Sequence, residues 1–356
     1  MKILISSYSF YPNTGGIESV SLMLASEFSK AGNEVKVITL TKSNEEEKFP
    51  FQVIRQPNLK HLIDLVGWSD VYFQSNISLQ LAWPLLFIRR PWVITHHIDI
   101  SRLDGRLSWK DHLKRFFTRF AICISVSKVV SGCMSTPSIV IKNPYNDSVF
   151  KRVPNELHPR EIVFLGRLIQ CKGVDVLLRA IKLLQTSGLY PNLTIIGIGP
   201  QLSNLRQLVE ELKLENQVTF AGLKTGLELV KLLNAHQIMV VPSRVEESFG
   251  LVVLEGIACG CVVIGSEKGG IPDTIGPCGV VFPSEKYQVL AKILADFLLN
   301  PDKLEAYRIK AEQHLSNHKG SVVAMQYLKV MKGCLNSRHT GLRIKIVSRA
   351  LSHWHR

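Results

Sequence analysis

The sequence predicts an α/β protein made of two doubly wound parallel-sheet units. Two observations carry that expectation. Short apolar runs alternate with longer amphipathic ones along most of the chain, and the alternation stops once, at VPNELHPR (153–160), then restarts. Strand–helix alternation favours parallel strands with helices on both faces. A polar stretch with two prolines between such runs reads as a linker. At 356 residues the chain is long enough for two domains, each with its own core.

Taken in order, KILIS (2–6) reads as a buried strand, ESVSLMLASEFSKAG (18–32) as a helix ending at Gly32, and EVKVITL (34–40) as a second strand. TKSNEEEK (41–48) is a solvated loop. VYF, WVIT, AICIS and SIVI follow as short strands near residues 71, 92, 121 and 138, with helical stretches between most of them. Beyond the linker come EIVFLG, a helix near 173–186, LTIIG, a helix near 202–213, QVTFAG, a helix near 226–235, and QIMVVP. The expected organisation is therefore two Rossmann-like units at 1–153 and 161–318, joined by a linker at 154–160. A C-terminal helix at 319–336 packs back on the first unit, and a basic tail occupies 337–356. Two such units facing each other make a cleft, and open α/β sheets bind ligands outside the carboxyl ends of their strands.

The hydrophobic fraction of 46% and charged fraction of 20% are those of a globular protein. The net charge of +14 suits nucleic acid, phosphorylated substrates or an anionic membrane without choosing among them. The cysteines are scattered and form no C-x-x-C, which argues against a disulfide framework or zinc site and fits a reducing, cytoplasmic setting. The opening apolar run is shorter than a signal-peptide core. The longest apolar stretch, FGLVVLEGIACGCVVIG, is broken by Glu255 and by glycines, so no membrane span is expected.

The strand-to-helix turns carry the chemistry. NTGGIES (13–19) follows the first strand. Gly15 and Gly16 there would let backbone approach a ligand at a helix N-terminus, or would simply make a tight turn. GRLIQCKG (166–173) follows the first strand of the second unit and places Arg167 and Lys172 at its carboxyl end. Together they could neutralise a diphosphate, or be two solvated bases. GIGP (197–200) lacks the third glycine of a dinucleotide fingerprint, and no D-x-D is present for a metal. In VEESFGLVVLEG (245–256) a helix is expected from about Ser248–Gly250. Glu247 would lie just outside it and Glu255 about two turns in, with the N–H groups of Ser248, Phe249 and Gly250 forming an anion site between them. The plainer alternative leaves Glu247 solvated and Glu255 paired locally.

These residues together resemble the signature of the family-four retaining glycosyltransferases (the group 1 type), which have the GT-B fold. The signature's Glu-x(7)-Glu core is Glu247 and Glu255, preceded by Gly166, Arg167, Lys172 and Gly173 and by the Gly15–Gly16 element. VITHHID, ISVSK with Ser127, IKNPYND and KGGIPDTIG resemble further family elements in the family's order, over roughly residues 1–335. The resemblance implies a first domain on the acceptor side and a second that binds the nucleotide sugar. Glu255 would bind ribose hydroxyls and Glu247 the donor sugar. Arg167 and Lys172 would hold the diphosphate, helped by Gly15–Gly16. His97 would lie near the donor sugar, with His96 as the other choice. Asp273 stands where the family has Glu, and Ile198 where an acid is common, which affects the fine donor contacts.

The implied activity is transfer of a sugar from a UDP- or GDP-sugar to a glycan or lipid-linked acceptor in cell-surface polysaccharide or glycolipid synthesis, without cofactor or metal. Helix N–H groups and fixed cations would stabilise the leaving diphosphate. A sugar-nucleotide epimerase of the same architecture is the alternative enzyme. A nucleic-acid-binding protein is the non-enzymatic one, and no finger, RNP-type or helix-turn-helix pattern supports it, so no nucleic-acid partner is expected. Last, WKDHLKRFFTRF (109–120) sets Trp109, Leu113, Phe116, Phe117 and Phe120 on one helical face among basic residues. The tail SRHTGLRIKIVSRALSHWHR (337–356) is basic and acid-free. The first could equally pack on the N-terminal sheet, so the tail, which lies beyond the motif-bearing core, is the better candidate for peripheral, salt-sensitive contact with an anionic membrane surface on its cytoplasmic side.

Overall fold

The computed structural model describes residues 1–13, 15–43, 48–97, 108–153 and 160–337. The chain divides into two compact units, Met1–Pro144 together with the residues from Gly320 onward, and Tyr145–Lys319. The division falls ahead of residue 153 because the intervening residues bond within the second unit. Tyr145 N donates to His318 O. Val153 N donates to Asn234 Oδ1, whose Nδ2 in turn donates to Lys151 O. Of the expected linker only Arg160 is described, and it opens a strand.

The first unit is a seven-stranded sheet: β1 (Lys2–Ser7), β2 (Glu34–Thr39), β3 (Gln52–Arg55), β4 (Val71–Ser75), β5 (Trp92–His96), β6 (Ile122–Ser125) and β7 (Ser138–Val140). The order is β3-β2-β1-β4-β5-β6-β7, with every pairing parallel. β3 was not legible in the sequence: it is four residues long at a sheet edge, and its face pattern is too short to show a period. Side chains alternate across the sheet. On one face Phe73 meets Phe28 of α1 (Gly16–Lys30) and Tyr327 of α14 (Gly320–Ser337), with ring centroids 6.0 and 5.6 Å apart. The Thr95 hydroxyl donates to that of Tyr327 at 3.3 Å. These buried contacts hold the C-terminal helix against α1 and the sheet. The opposite face carries α2 (Leu59–Trp68), α3 (Leu79–Ala82), a 3-10 turn (Trp83–Leu86) and α4 (Trp109–Thr118). α5 (Lys128–Cys133) follows β6, and Ser127 caps it by accepting from Val130 N at 3.2 Å.

The second unit has β8 (Arg160–Leu165), β9 (Leu193–Ile196), β10 (Val218–Gly222), β11 (His236–Val241), β12 (Val262–Ser266) and β13 (Gly279–Phe282) in the order β10-β9-β8-β11-β12-β13, again parallel throughout. Its helices are α6 (Val174–Thr186), α7 (Leu202–Glu211), α8 (Gly226–Asn234), α9 (Leu251–Ala258), α10 (Ile271–Ile275), α11 (Tyr287–Leu299), α12 (Asp302–Arg308) and α13 (Ala311–Ser316). α6 and α11 bury Leu177, Ile181, Leu290 and Leu294 against Ile162, Ile195 and Ile264 of the sheet. Cys259, Cys261 and Cys278 are buried free thiols, and burial pushes Cys261 up to about 12, so they pack as small hydrophobes. No described helix is long and apolar enough to cross a membrane.

Candidate active site

The strand order creates a special position in each sheet. In the second unit the chain leaves β8 for β9 and β10 on one side, then returns to β11, β12 and β13 on the other. β8 and β11 are therefore neighbours from which connections depart in opposite directions, the switch point at which open α/β sheets bind ligands. Lys172 ends a 3-10 turn (Gln170–Lys172) after β8, and Glu247 lies in the loop after β11.

The two side chains meet there. Lys172 Nζ donates to Glu247 Oε1 at 2.8 Å, with side-chain exposures of only 22% and 12%. The Ser243 hydroxyl donates to the same oxygen. Glycines permit this approach. A Cβ on Gly173, which has φ of +68°, would lie 2.0 Å from Pro242 O. The Gly269–Gly270 pair wraps the backbone of Glu247. Gly270 N donates to Glu247 O at 2.6 Å, and a Cβ on Gly269 would lie 2.4 Å from that carbonyl oxygen. The KGGIP element therefore fixes the acid from its backbone side.

Arg244 joins the two loops. Its Nη1 and Nη2 donate to the two oxygens of Asp175 in the first turn of α6, at 2.7 and 2.5 Å. Nη1 also donates to Gln170 O at 3.0 Å, Arg244 N to Cys171 O at 2.8 Å, and Nε to Glu285 at 3.1 Å. The hydrogen bonds to Asp175 lead the effects that hold its guanidinium above the ordinary value. Sequence reading missed Arg244, Asp175 and Ser243. The usable signal was their place beside the marked residues at the ends of β8 and β11.

Two expectations for VEESFGLVVLEG are corrected. α9 begins at Leu251, with Gly250 as its N-cap in the left-handed region (φ 88°), so Ser248 and Phe249 belong to the preceding loop. Phe249 is buried, its ring 5.8 Å from that of His318, and its carbonyl accepts from Thr274 Oγ1. Glu255 is the fifth residue of α9, little more than one turn in. Burial pushes its carboxyl up to about 7 from the ordinary 4.5. No hydrogen bond to this carboxyl forms among the described residues. Arg167, just past β8, is exposed and has no ion-pair partner among them.

In the first unit the switch lies between β1 and β4. Gly15 and Gly16 open α1 just beyond β1, both exposed. A Cβ on Gly15 would fall 2.4 Å from Glu18 Oε2, so the Glu18 carboxylate lies over this helix start and would repel an anion unless it swung away. His97 follows the last residue of β5. Its backbone N donates to Asn76 Oδ1 at 2.8 Å, from the turn after β4. Burial, then the neighbouring His96, lowers its pKa to about 3, so the ring is neutral at physiological pH. Its Nε2 has no hydrogen-bond partner among the described residues. His96 is the last strand residue and is also buried.

Residues 146–314 match the family model described as glycosyl transferases group 1. The putative colanic acid biosynthesis glycosyltransferase WcaL of Salmonella typhimurium is 26% identical over 239 residues, 63% of this chain and 59% of its own length. The amylovoran biosynthesis glycosyltransferase AmsK of Erwinia amylovora is 27% identical over 216 residues, 56% of this chain and 53% of its own. The chain thus spans little more than half the length of these curated relatives. Among solved structures, HepE of Anabaena in complex with UDP superposes with a TM-score of 0.78 at 20% identity, covering 94% of this chain and all of that one. The fold is that of GT-B glycosyltransferases, and the second unit of this chain is a domain of the glycosyltransferase group 1 family.

Proposed function

We propose that the protein is a retaining glycosyltransferase that moves a sugar from a nucleoside diphosphate sugar to a glycan or lipid-linked acceptor. The observation that carries this reading is the Lys172–Glu247–Ser243 cluster at the switch point between β8 and β11. It supplies a cation for a leaving phosphate and an acid for sugar hydroxyls at one place. Arg167, exposed at the end of β8, adds a second charge for the diphosphate. Glu255, whose carboxyl has no hydrogen-bond partner among the described residues, offers acceptor oxygens from α9 to the two ribose hydroxyls. Carboxyl oxygens and vicinal hydroxyls are complementary in number and spacing.

In the reaction the bond from the anomeric carbon to the phosphate oxygen breaks, and the acceptor oxygen bonds to that carbon on the same face. The acceptor's proton passes to the departing phosphate. Lys172 and Arg167 neutralise the charge that develops on the diphosphate. Glu247 orients the sugar rather than attacking it, since Lys172 and Ser243 already occupy one of its oxygens. Neutral His97 can hydrogen-bond a sugar hydroxyl through Nε2. Because charge stabilisation comes from side chains and backbone, transfer is proposed to need no metal.

The named relatives act in colanic acid and amylovoran biosynthesis, which supports a cell-surface polysaccharide or glycolipid as the product. HepE has been solved with UDP and with UDP-glucose, which supports a UDP-linked donor over a GDP-linked one. The proposed location is the cytoplasmic side of the membrane where lipid-linked glycans are built. A thermal-shift screen of nucleotide sugars, then mass spectrometry and anomeric NMR of products, tests the reading. Transfer with retained anomeric configuration is expected. Conversion of donor alone to an epimer would replace it with the epimerase reading.

A further inference from the structure

β4 and β5 run side by side in the first sheet, with Ser75 opposite Thr95. In a parallel ladder with that register, Asn76 N donates to Thr95 O, and the next bond would run from His97 N to Asn76 O. The first bond is made, at 2.8 Å. At the second the pattern changes. Asn76 leaves the strand with a φ of +59°, in the left-handed region, which takes its main-chain carbonyl out of the ladder. Its side chain stands in, and Asn76 Oδ1 accepts from His97 N at 2.8 Å. Asparagine suits both demands, since it tolerates the left-handed conformation and carries a second carbonyl.

The turn that holds Asn76 is itself pinned. Gln74, fully buried, donates from Nε2 to Ser78 O at 2.8 Å. The Ser75 hydroxyl accepts from that of Ser21, on α1, at 2.9 Å. Three consecutive residues at the end of β4 therefore fix three different neighbours: the turn itself, α1 and the end of β5. On the other side of β5, Val126 N donates to His96 O at 3.3 Å. The end of β5 is thus gripped from both flanking strands, and Asn76 supplies the grip on His97.

The group held in this way carries chemistry. His97 is only 4% exposed, and its Nε2 has no hydrogen-bond partner among the described residues. A buried polar atom in that state gains from a ligand that supplies the missing partner. A hydrogen bond of that kind is lost when its donor or acceptor is displaced by a few tenths of an ångström to one ångström, so the backbone that carries the ring must be fixed.

We propose that Asn76 is a positioning residue for His97: its side-chain carbonyl replaces the missing ladder bond and so sets where Nε2 meets a hydroxyl of the donor sugar. The inference rests on the sugar contact proposed for His97. Asn76 acts through His97 and needs no contact of its own with the reacting atoms.

The test compares Asn76→Gly, which keeps the left-handed turn and removes the acceptor, with Asn76→Asp, which keeps both. Hydrogen exchange of the His97 amide is followed by NMR in the full-length protein labelled with 15N at histidine, and transfer kinetics are measured alongside. In Asn76→Gly the His97 amide is expected to exchange about fivefold faster, the scale of one lost hydrogen bond. Its kcat should fall about tenfold with a much smaller change in donor KM, because the misplaced contact is to the reacting sugar and not to the nucleotide. Asn76→Asp should keep wild-type protection of that amide. Wild-type exchange and turnover in Asn76→Gly overturn the proposal, as does a His97 amide as unprotected in Asn76→Asp as in Asn76→Gly. His97→Ala separates this inference from the reading beneath it. Wild-type turnover in His97→Ala removes the sugar contact and the inference together, whereas lost turnover in His97→Ala with normal turnover in Asn76→Gly overturns the inference alone.

Discussion

Arg244 holds Asp175 with both terminal nitrogens, at 2.7 and 2.5 Å, and so ties the loop after β11 to the first turn of α6. Two of the proposed catalytic side chains in this unit lie close to that tie in sequence. Lys172 is three residues before Asp175, and Glu247 is three after Arg244. The geometry is a planar fork on a carboxylate, which lysine does not reproduce.

Arg244→Ala and Asp175→Ala are each expected to lower kcat/KM about tenfold or more through misplacement of Lys172 and Glu247. Arg244→Lys should not rescue. The double variant should cost little more than either single one, because the pair acts as a unit. Two single variants with wild-type kinetics would remove the positioning role.

Arg167→Ala and Lys172→Ala are each expected to lose about a hundredfold in turnover, the scale of a lost charge contact in a transition state. Lys172→Ala also leaves Glu247 without its ion pair, so it should destabilise the fold more than Arg167→Ala. Turnover near wild type in both variants would end the diphosphate assignment.

Glu255 sets a pH dependence. Its carboxyl is raised to about 7, and the ionised form accepts ribose hydroxyls best, so nucleotide affinity should rise between pH 6 and 8. Glu255→Gln should flatten that rise in calorimetry, and Glu255→Ala should weaken nucleotide binding outright. Glu247→Ala should damage turnover more than binding. Stability has the opposite slope. With the folded pKa above the unfolded 4.5, the native state holds the extra proton, so stability is lost as pH climbs from about 4.5 to about 7. Glu255→Gln should recover on the order of 2 kcal/mol at pH 8. Affinity unchanged by pH in the wild type would contradict the ribose role.

Transfer should survive EDTA, because the sequence has no D-x-D and charge stabilisation is assigned to Arg167 and Lys172. Activity that depends strictly on added magnesium or manganese would show that a metal supplies part of that stabilisation.

The sequence by itself determined the local elements and the chemistry-bearing turns. Apolar period and helix stops placed most of the strands and about half of the helices, because both are set by backbone preference and by one face meeting a core. The Glu-x(7)-Glu spacing and the Arg167–Lys172 element were legible because each lies within a short stretch of sequence. Tertiary structure decided what depends on residues far apart. Lys172 meets Glu247 across 75 positions only because β8 and β11 are neighbours, and strand order is not written in any local pattern. The grip of Arg244 on Asp175 is hidden for the same reason. The start of α9 moved to Leu251 because Gly250 takes a left-handed conformation that composition does not reveal. Packing split the α4 stripe, turning Phe117 to the core and leaving Phe116 outside, since a helix period shows which residues share a face but not how far that face is covered. The raised carboxyl of Glu255 follows from the same cause: a pKa responds to the protein packed around a group, and that packing exists only in the folded chain.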